Sequence, residues 1–365
     1  SSGVYNQSGI VVNKSLSFVG LDNVTINANR NGSCFIIYDN YEVFDGHYHL
    51  TNYIQEGVTI QKQLDNMGSV VGRCVLFGIP LQQMWSYGNS GSEAPKYYLD
   101  TDAPLYYYSF SDAFIAMQYL SLTDEQKKRF DPMITAFNPA DMYAAAHIRR
   151  VLQTFPGVFT GIGEFSIHKE FVSSKVAGEV ASLLNPALDS IFSFCAETGL
   201  LAILHNDIDK PFPKAYTQSY VSDMVNVVRR HPGATIIWAH VGLGRIVRPV
   251  KDQIQIVREM CEDPTLSNLY FDISWDEVAK YIIKNDTTVQ ATADLINQFP
   301  NKFLFGTDNV ASPDQQTYLK PYYMYQPLWD KLTPETREKV KKGNYKKLFD
   351  EAKEKVRAWE KANPK

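Results

Sequence analysis

From residue 41 onward, short apolar runs alternate with longer amphipathic stretches, and this alternation constrains the fold more than any other feature of the chain. Near-continuous apolar runs are typical of strands buried on both faces, and amphipathic stretches between them are typical of helices covering a parallel sheet. Eight strand–helix units predict an α/β fold of the (β/α)8, or TIM, barrel type. The predicted strands are 43–47, 70–77, 133–137, 159–165, 200–205, 235–240, 269–273 and 303–306.

Residues 1–40 differ from the rest of the chain. They contain short β-branched runs separated by Gly, Asn and Asp and carry almost no charge, which predicts a small β-rich extension packed on the barrel or on a partner chain. We therefore divide the chain into an N-terminal β-rich extension (1–40), a barrel (41–350) and a charged helix end or tail (351–365).

Two connections are long and rich in tyrosine. The stretches 78–111 and 309–327 follow the second and eighth predicted strands, so both are predicted to be loops at the active face of the barrel. Such loops serve as lids or binding surfaces, and tyrosine is also enriched in subunit contacts. Both interpretations stay open, and a homo-oligomer could form through these loops or through the N-terminal region.

Charge and hydropathy exclude several functional classes. A formal net charge of −4 offers no electrostatic surface for nucleic acid, and no run approaches the ~18 apolar residues of a membrane-spanning helix. The four cysteines lack CxxC spacing, which favours free thiols in a reducing compartment. We therefore expect a cytoplasmic protein acting on a small molecule, with a processed secreted or periplasmic chain as the alternative.

The chemistry-bearing residues stand where the predicted strands end. A barrel gathers its strand C-termini around one mouth. Imidazoles and carboxylates there suit Zn²⁺, or Mn²⁺ or Fe²⁺, with an open position for water. Such an ion acidifies water to form a nucleophile, and a nearby carboxylate can take the proton. The residues concerned are His47, His49, Glu164, His205, Asp207, His240, Asp272 and Asp308.

Five of these strand ends, in the order HxH on the first strand, Glu on the fourth, His on the fifth, His on the sixth and Asp on the eighth, resemble the amidohydrolase superfamily of metal-dependent hydrolases over residues 41–350. The strings DGHYH, ILHND, AHVGLGR and FGTD are similar to those of the amidohydrolase 2, or aminocarboxymuconate-semialdehyde-decarboxylase-like, group. The resemblance implies that Asp308 is a metal ligand that also accepts the proton of water. It implies that His240 polarises substrate and water in one-metal members. The other ligands that it implies are His47, His49 and His205.

The resemblance leaves the role of Glu164 open. In two-metal members a carboxylate at this strand bridges the ions, and His205 and His240 would then hold the second one. In a one-metal site Glu164 would instead orient a ligand imidazole. Lys169 lies beyond the predicted strand, which disfavours a bridge formed by a carbamylated lysine. One or two ions are therefore expected.

Three further residues are weaker candidates for substrate contact. Arg245 could bind a substrate carboxylate bidentately or form a salt bridge to a neighbouring loop. His168 follows the fourth strand closely enough to reach the mouth, and Trp275 could line the pocket or pack in the core.

Four functions fit this set. The first is a hydrolase that uses a metal-activated water on a C–N or C–O bond of an amide, lactone or ester. The second is a decarboxylase or hydratase of a carboxylated substrate, which Arg245 favours. The third is a two-metal, TatD-like phosphoesterase, against which the acidic chain argues if the substrate is nucleic acid. The least favoured is an inactive metal-binding scaffold, because the ligand set is intact.

Overall fold

A computed structural model describes most of the chain from residue 41 onward. The predicted β-rich extension (1–40) and most of the first tyrosine-rich connection lie outside the described residues. The described ranges are 41–51, 57–79, 110–168, 182–209, 220–244, 250 and 252–364.

Eight strands form one parallel sheet in the order β1, β3, β4, β5, β6, β7, β8, β9, and β2 and β10 form a parallel pair of their own. Each strand thus lies beside its neighbour in the chain, as expected when helices connect successive strands. The strands are β1 (Val43–Asp45), β2 (Tyr48–His49), β3 (Val71–Leu76), β4 (Phe130–Ile134), β5 (Gly161–Ser166), β6 (Leu201–His205), β7 (Ile236–Trp238), β8 (Leu269–Asp272), β9 (Phe303–Leu304) and β10 (Asn309–Val310).

The pair formed by β2 and β10 closes the sheet. Gly46 N donates to Phe305 O at 2.9 Å, and Asp308 N donates to His47 O at 2.7 Å. These bonds join the chain that continues β1 to the chain that continues β9, which are the first and last strands of the order. The predicted (β/α)8 barrel is therefore confirmed.

Helices separate the strands. The helix Pro186–Thr198 illustrates the local signals, because Asn185 caps its N-terminus by accepting from Ala187 N and Pro186 occupies its first position. This helix ends at Gly199, whose φ of 81° is left-handed. The helices are α1 (Ile60–Met67), α2 (Phe110–Leu120), α3 (Asp124–Lys127), α4 (Ala144–Thr154), α5 (Pro186–Thr198), α6 (Val221–Arg230), α7 (Gln253–Glu262), α8 (Asp276–Ile282), α9 (Asp286–Gln298), α10 (Gln315–Met324), α11 (Gln326–Lys331), α12 (Pro334–Glu338) and α13 (Asn344–Ala362).

None of the helices in these ranges is long and apolar enough to cross a membrane. Cys74 and Cys195 are buried free thiols, and Cys261 is a partly buried one.

The third strand of the sheet, β4, begins and ends earlier than the predicted 133–137. Pro132 lies inside it, and its carbonyl accepts a hydrogen bond from Thr160 N at 2.9 Å. The strand ends because Asp112 takes over the next backbone donors. Its carboxylate accepts from Thr135 N at 2.8 Å and from the following N–H at 3.1 Å.

The barrel interior is apolar, and α13 packs against it. The Tyr345 hydroxyl in α13 donates to Asp131 near the start of β4 at 2.7 Å. The predicted boundary at residue 350 falls inside this helix, which stays packed as far as Trp359. The buried apolar residues with which the barrel interior and α13 pack together are Phe44, Val75, Phe77, Met133, Leu201, Ile203, Ile237, Ala239, Leu304, Tyr345, Leu348, Phe349 and Ala352.

The prediction of a loop at 309–327 is wrong. The stretch contains β10, α10 and the start of α11, and its tyrosines are mostly buried. Tyr318 donates to the Asp45 carboxylate at 2.8 Å, and Tyr325 donates to Ile273 O at 2.6 Å. Tyrosine combines a large apolar ring with one polar atom, so it can fill a core wherever its hydroxyl finds an acceptor. In this stretch Tyr323 is 54 % exposed.

Candidate metal centre

Two imidazoles and one carboxylate lie close to Asp308 at the mouth of the barrel. His47 and His49 each direct Nε2 at Asp308 Oδ1, at 3.2 and 3.1 Å. The same two nitrogens lie 3.8 and 3.3 Å from Glu164 Oε2. Two ligand atoms that are each about 2 Å from one ion are at most about 4 Å apart, so these four residues have the spacing of one cation site.

A second group lies on the other side of Glu164. Glu164 Oε1 is 2.6 Å from His205 Nδ1 and 3.6 Å from His240 Nε2. The rings of His205 and His240 are 4.7 Å apart, and all three side chains are buried. Glu164 therefore presents one carboxylate oxygen to each of two groups of ring nitrogens.

Asp272 orients the ring of His47. His47 Nδ1 donates to Asp272 Oδ2 at 3.0 Å, which turns Nε2 toward Asp308 and Glu164. Burial by itself lowers the pKa of His47, but the carboxylates of Asp272 and Asp308 raise it well above the ordinary value of imidazole. The surrounding carboxylates therefore favour a positive charge on this ring.

Unsatisfied buried nitrogens show that a divalent cation fits this site. Among the described residues, His47 Nε2 and His240 Nε2 are buried without a hydrogen-bond partner, although buried polar atoms are nearly always satisfied. Both atoms face the carboxylates of Glu164 and Asp308. Neutral imidazole nitrogens and carboxylate oxygens that converge in this way are the donor set preferred by Zn²⁺ and similar ions.

His205 has a carboxylate on each side of its ring. Its Nε2 lies 2.9 Å from Asp207 Oδ1, and its Nδ1 faces Glu164. If the ring is neutral and donates to Asp207, the Nδ1 lone pair meets the Glu164 carboxylate, and a cation bound by both atoms makes that contact favourable. Gly244 packs against Asp207, since a Cβ there would lie 2.4 Å from Asp207 Oδ2.

Sharp turns after the strands place functional side chains at the mouth of the barrel. Several residues at the mouth have left-handed backbone angles that residues with a Cβ rarely adopt, and each costs about 1–3 kcal/mol. Such strain concentrates at functional sites, where the surrounding structure holds it in place. Here Asp308 N is held by His47 O, and His240 N is held by the Asp272 carboxylate at 2.9 Å. The residues are His240 (φ 59°), Val241 (φ 48°), Trp275 (φ 85°), Asp308 (φ 52°) and Ala311 (φ 44°).

Asp45 holds the two chain segments that carry His47 and Asp308. Its carboxylate accepts from Thr307 N and Oγ1, both at 2.8 Å, and from His47 N at 3.1 Å. Tyr318 supplies a further donor. Burial outweighs these hydrogen bonds and raises the pKa of Asp45 to about 6. Sequence analysis assigned no role to Asp45, although it stands in the same DGHYH string as the histidines.

Gly306 leaves the space that His47 occupies. A Cβ at residue 306 would lie 2.6 Å from His47 Cβ and 2.9 Å from His47 N. We expect Gly306→Ala to displace His47 and to lower zinc affinity about 10–100-fold, measured by competition with a chromogenic chelator. Gly343→Ala is the matched control, because its Cβ would meet nothing closer than 3.7 Å. Equal zinc affinity in both variants would contradict the assignment of His47.

The three weaker substrate candidates have different locations. Trp275 is buried against the centre, with its ring 5.1 Å from that of His240 and 6.5 Å from that of His205. The ring of His168 stacks on Tyr220 at 3.8 Å, and its carbonyl accepts from Asp207 N. Arg245 lies outside the described residues.

The role of the residues that position the histidines was not predicted from the sequence. Asp207 and Asp272 were recognised at strand ends without a role, and Ser274 was not recognised. Ser274 lies two residues beyond the end of β8, where strand alternation no longer indicates which way a side chain points, so the sequence carried no signal for its role.

Structural comparison finds solved structures that resemble this chain. The 4-oxalomesaconate hydratase of Rhodopseudomonas palustris is 14% identical, with a TM-score of 0.52 over 88% of this chain and 99% of that one. An amidohydrolase of Burkholderia multivorans, crystallised with bound HEPES, is 12% identical, with a TM-score of 0.50 over 84% of this chain and 99% of that one. A manganese-containing dihydroxybenzoic acid decarboxylase of Polaromonas is 14% identical, with a TM-score of 0.48 over 85% and 97% of the two chains.

Sequence comparison identifies the family. Curated proteins yield no significant match. The family model described as amidohydrolase matches residues 93–350, which is more than half of the chain. The matched part contains Glu164, His205, His240 and Asp308, whereas His47 and His49 precede it. The resemblance predicted from the motifs is confirmed, and the chain belongs to the amidohydrolase family.

Proposed function

We propose that this protein is a hydrolase that cleaves a C–N or C–O bond of a small amide, lactone or ester at a centre for two divalent ions. The observation that supports a centre for two ions is the position of Glu164, which directs Oε2 at His47 and His49 and Oε1 at His205 and His240. A carboxylate that only oriented one imidazole would have no reason to face both groups.

The ligands divide into two sets around Glu164. His47, His49 and Asp308 would hold one ion, and His205 and His240 would hold the other. When bound, such ions polarise a carbonyl oxygen and acidify water. Zn²⁺ suits this mixture of imidazoles and carboxylates, and Mn²⁺ or Fe²⁺ is the alternative.

Asp308 is suited to accept the proton of the attacking water. Burial by itself raises its pKa, but the neighbouring His47 and His240 hold the pKa well below its usual range, so the carboxylate is ionised at neutral pH. Its Oδ2 lies on the His240 side, 3.9 Å from Nε2. The Trp275 ring lies 5.1 Å from that of His240, and both side chains are buried.

The alternative is decarboxylation or hydration of a carboxylated substrate at the same residues. That function depends on Arg245 as a partner for the substrate carboxylate. The net charge of −4 disfavours a nucleic-acid phosphoester, whose backbone selects basic surfaces. Because Arg245 lies outside the described residues, hydrolysis of a small molecule is the first proposal.

Metal stoichiometry tests the two-ion centre. We expect wild-type protein to contain about two ions per chain after dialysis, and Glu164→Gln to lose at least one, because the neutral amide cannot offer anionic oxygens to both groups. Inductively coupled plasma mass spectrometry measures the metal content per chain. Glu335→Gln, at an exposed position, should keep the wild-type value. A wild-type content that saturates at one ion would contradict the proposal.

Isotope labelling separates the reaction classes. A panel of lactones, cyclic amides and esters is compared with β-keto and unsaturated carboxylates in ¹⁸O-labelled water. Cleavage into products with one labelled oxygen supports hydrolysis. Release of CO₂, or addition of water without cleavage, would replace it with the alternative.

A further inference from the structure

The Asp272 carboxylate accepts hydrogen bonds from the segment that carries His47 and from the segment that carries His240, as well as from Ser274. Its Oδ1 accepts from His240 N at 2.9 Å and from Ser274 N at 3.0 Å. Its Oδ2 accepts from His47 Nδ1 at 3.0 Å. Backbone N–H groups can only donate, so Oδ1 is an acceptor in this arrangement.

The Ser274 hydroxyl lies between Asp272 and His240. Its Oγ contacts Asp272 Oδ1 in a short hydrogen bond and lies 2.8 Å from His240 Nδ1. A serine hydroxyl has one proton. Because Asp272 Oδ1 can only accept, that proton goes to the carboxylate, and Ser274 Oγ must accept from an N–H on His240 Nδ1.

We infer that Ser274 is a positioning residue that fixes a proton on Nδ1 of His240 and leaves Nε2 as the ring atom that acts in the site. Nε2 is buried without a hydrogen-bond partner among the described residues. It faces Glu164 Oε1 at 3.6 Å and Asp308 Oδ2 at 3.9 Å.

This tautomer limits what neutral His240 can do. An Nε2 lone pair can bind a cation or accept a proton, but it cannot donate a hydrogen bond to a substrate carbonyl. The inference rests on the proposed function for the use of Nε2, whereas the tautomer itself depends only on this chain.

Asp272 thereby orients the rings of both His47 and His240. His47 reaches it directly and His240 reaches it through Ser274, so both rings carry hydrogen on Nδ1 and turn Nε2 toward the carboxylates. The two rings lie 4.9 Å apart. One carboxylate at the end of β8 thus positions one histidine from each proposed ligand set.

Imidazole NMR tests the inference on metal-free protein. Long-range ¹H–¹⁵N spectra of protein labelled at histidine distinguish protonated from unprotonated ring nitrogens, and the signal missing in His240→Gln identifies His240. We expect wild-type His240 to show a protonated Nδ1 and an unprotonated Nε2. A wild-type ring protonated on Nε2 alone would overturn the inference, whatever the metal content or reaction proves to be.

Substitutions test whether Ser274 is the cause. Ser274→Ala should lose the single-tautomer signature, with the two nitrogen shifts moving toward each other, and Ser274→Thr should restore it because the hydroxyl is kept. Ser312→Ala is the control, since that buried hydroxyl lacks a partner among the described residues. An unchanged His240 signature in folded Ser274→Ala would overturn the role of Ser274. If that variant does not fold, the wild-type and Ser274→Thr spectra decide.

Discussion

Replacing Asp308 with asparagine is expected to lower kcat about 1000-fold, in the range that a general base contributes. Asparagine keeps an oxygen at the position that faces His47 and His49, but a neutral amide cannot accept the proton of water. The measurement is kcat with the best substrate of the panel described above, on protein whose metal content has been determined.

The control for this variant is Asp294→Asn, which makes the same chemical change at an exposed helix position. It should keep wild-type kcat and metal content. If metal-loaded Asp308→Asn turned over like the control, another residue would have to accept the proton, and the assignment of Asp308 as base would be wrong.

Replacing Asp131 with asparagine is expected to lower the free energy of unfolding by about 3–5 kcal/mol. This is the largest loss of stability expected for any variant described here. Asp131 is fully buried near the start of β4, forms ion pairs with Arg73 at 2.8 Å and Lys353 at 2.6 Å, and accepts a hydrogen bond from Tyr345 at 2.7 Å. The amide leaves Lys353 without this partner and leaves Arg73 with Asp350, which is more exposed to solvent. Urea unfolding at pH 7 measures the change.

The effect of Asp131 should also depend on pH. Burial by itself raises its pKa, but Lys353 and Arg73 lower it below the ordinary value. The unfolded state therefore binds the proton more tightly, and the stabilisation is complete above about pH 4 and decreases as the pH falls through the folded-state pKa.

The difference between Asp131→Asn and wild type should accordingly narrow in acid. Asp124→Asn, on the exposed first turn of α3, should change stability by no more than about 0.5 kcal/mol. A pH-independent difference would show that Asp131 stabilises the barrel through packing rather than through its charge.

The positions of the strands were largely predictable, and their ends were less so. Each apolar run became a strand, because a run buried on both faces has few alternatives in a chain of this pattern. The ends depended on distant partners, as when the Asp112 side chain took the backbone donors that would have extended β4. The second tyrosine-rich stretch was misread because its hydroxyls find acceptors, such as Asp45, that are remote in sequence.

Sequence alone was sufficient to bring His47, His49, His205, His240 and Asp308 to one mouth, because the carboxyl ends of parallel strands in a barrel always meet there. It could not determine which ring nitrogen faces the centre. That depends on Asp272, Ser274 and Asp207 and on left-handed turns after the strands. Nor could it place Glu164 between two groups of histidines, since that position arises only when strands far apart in the chain close into a barrel.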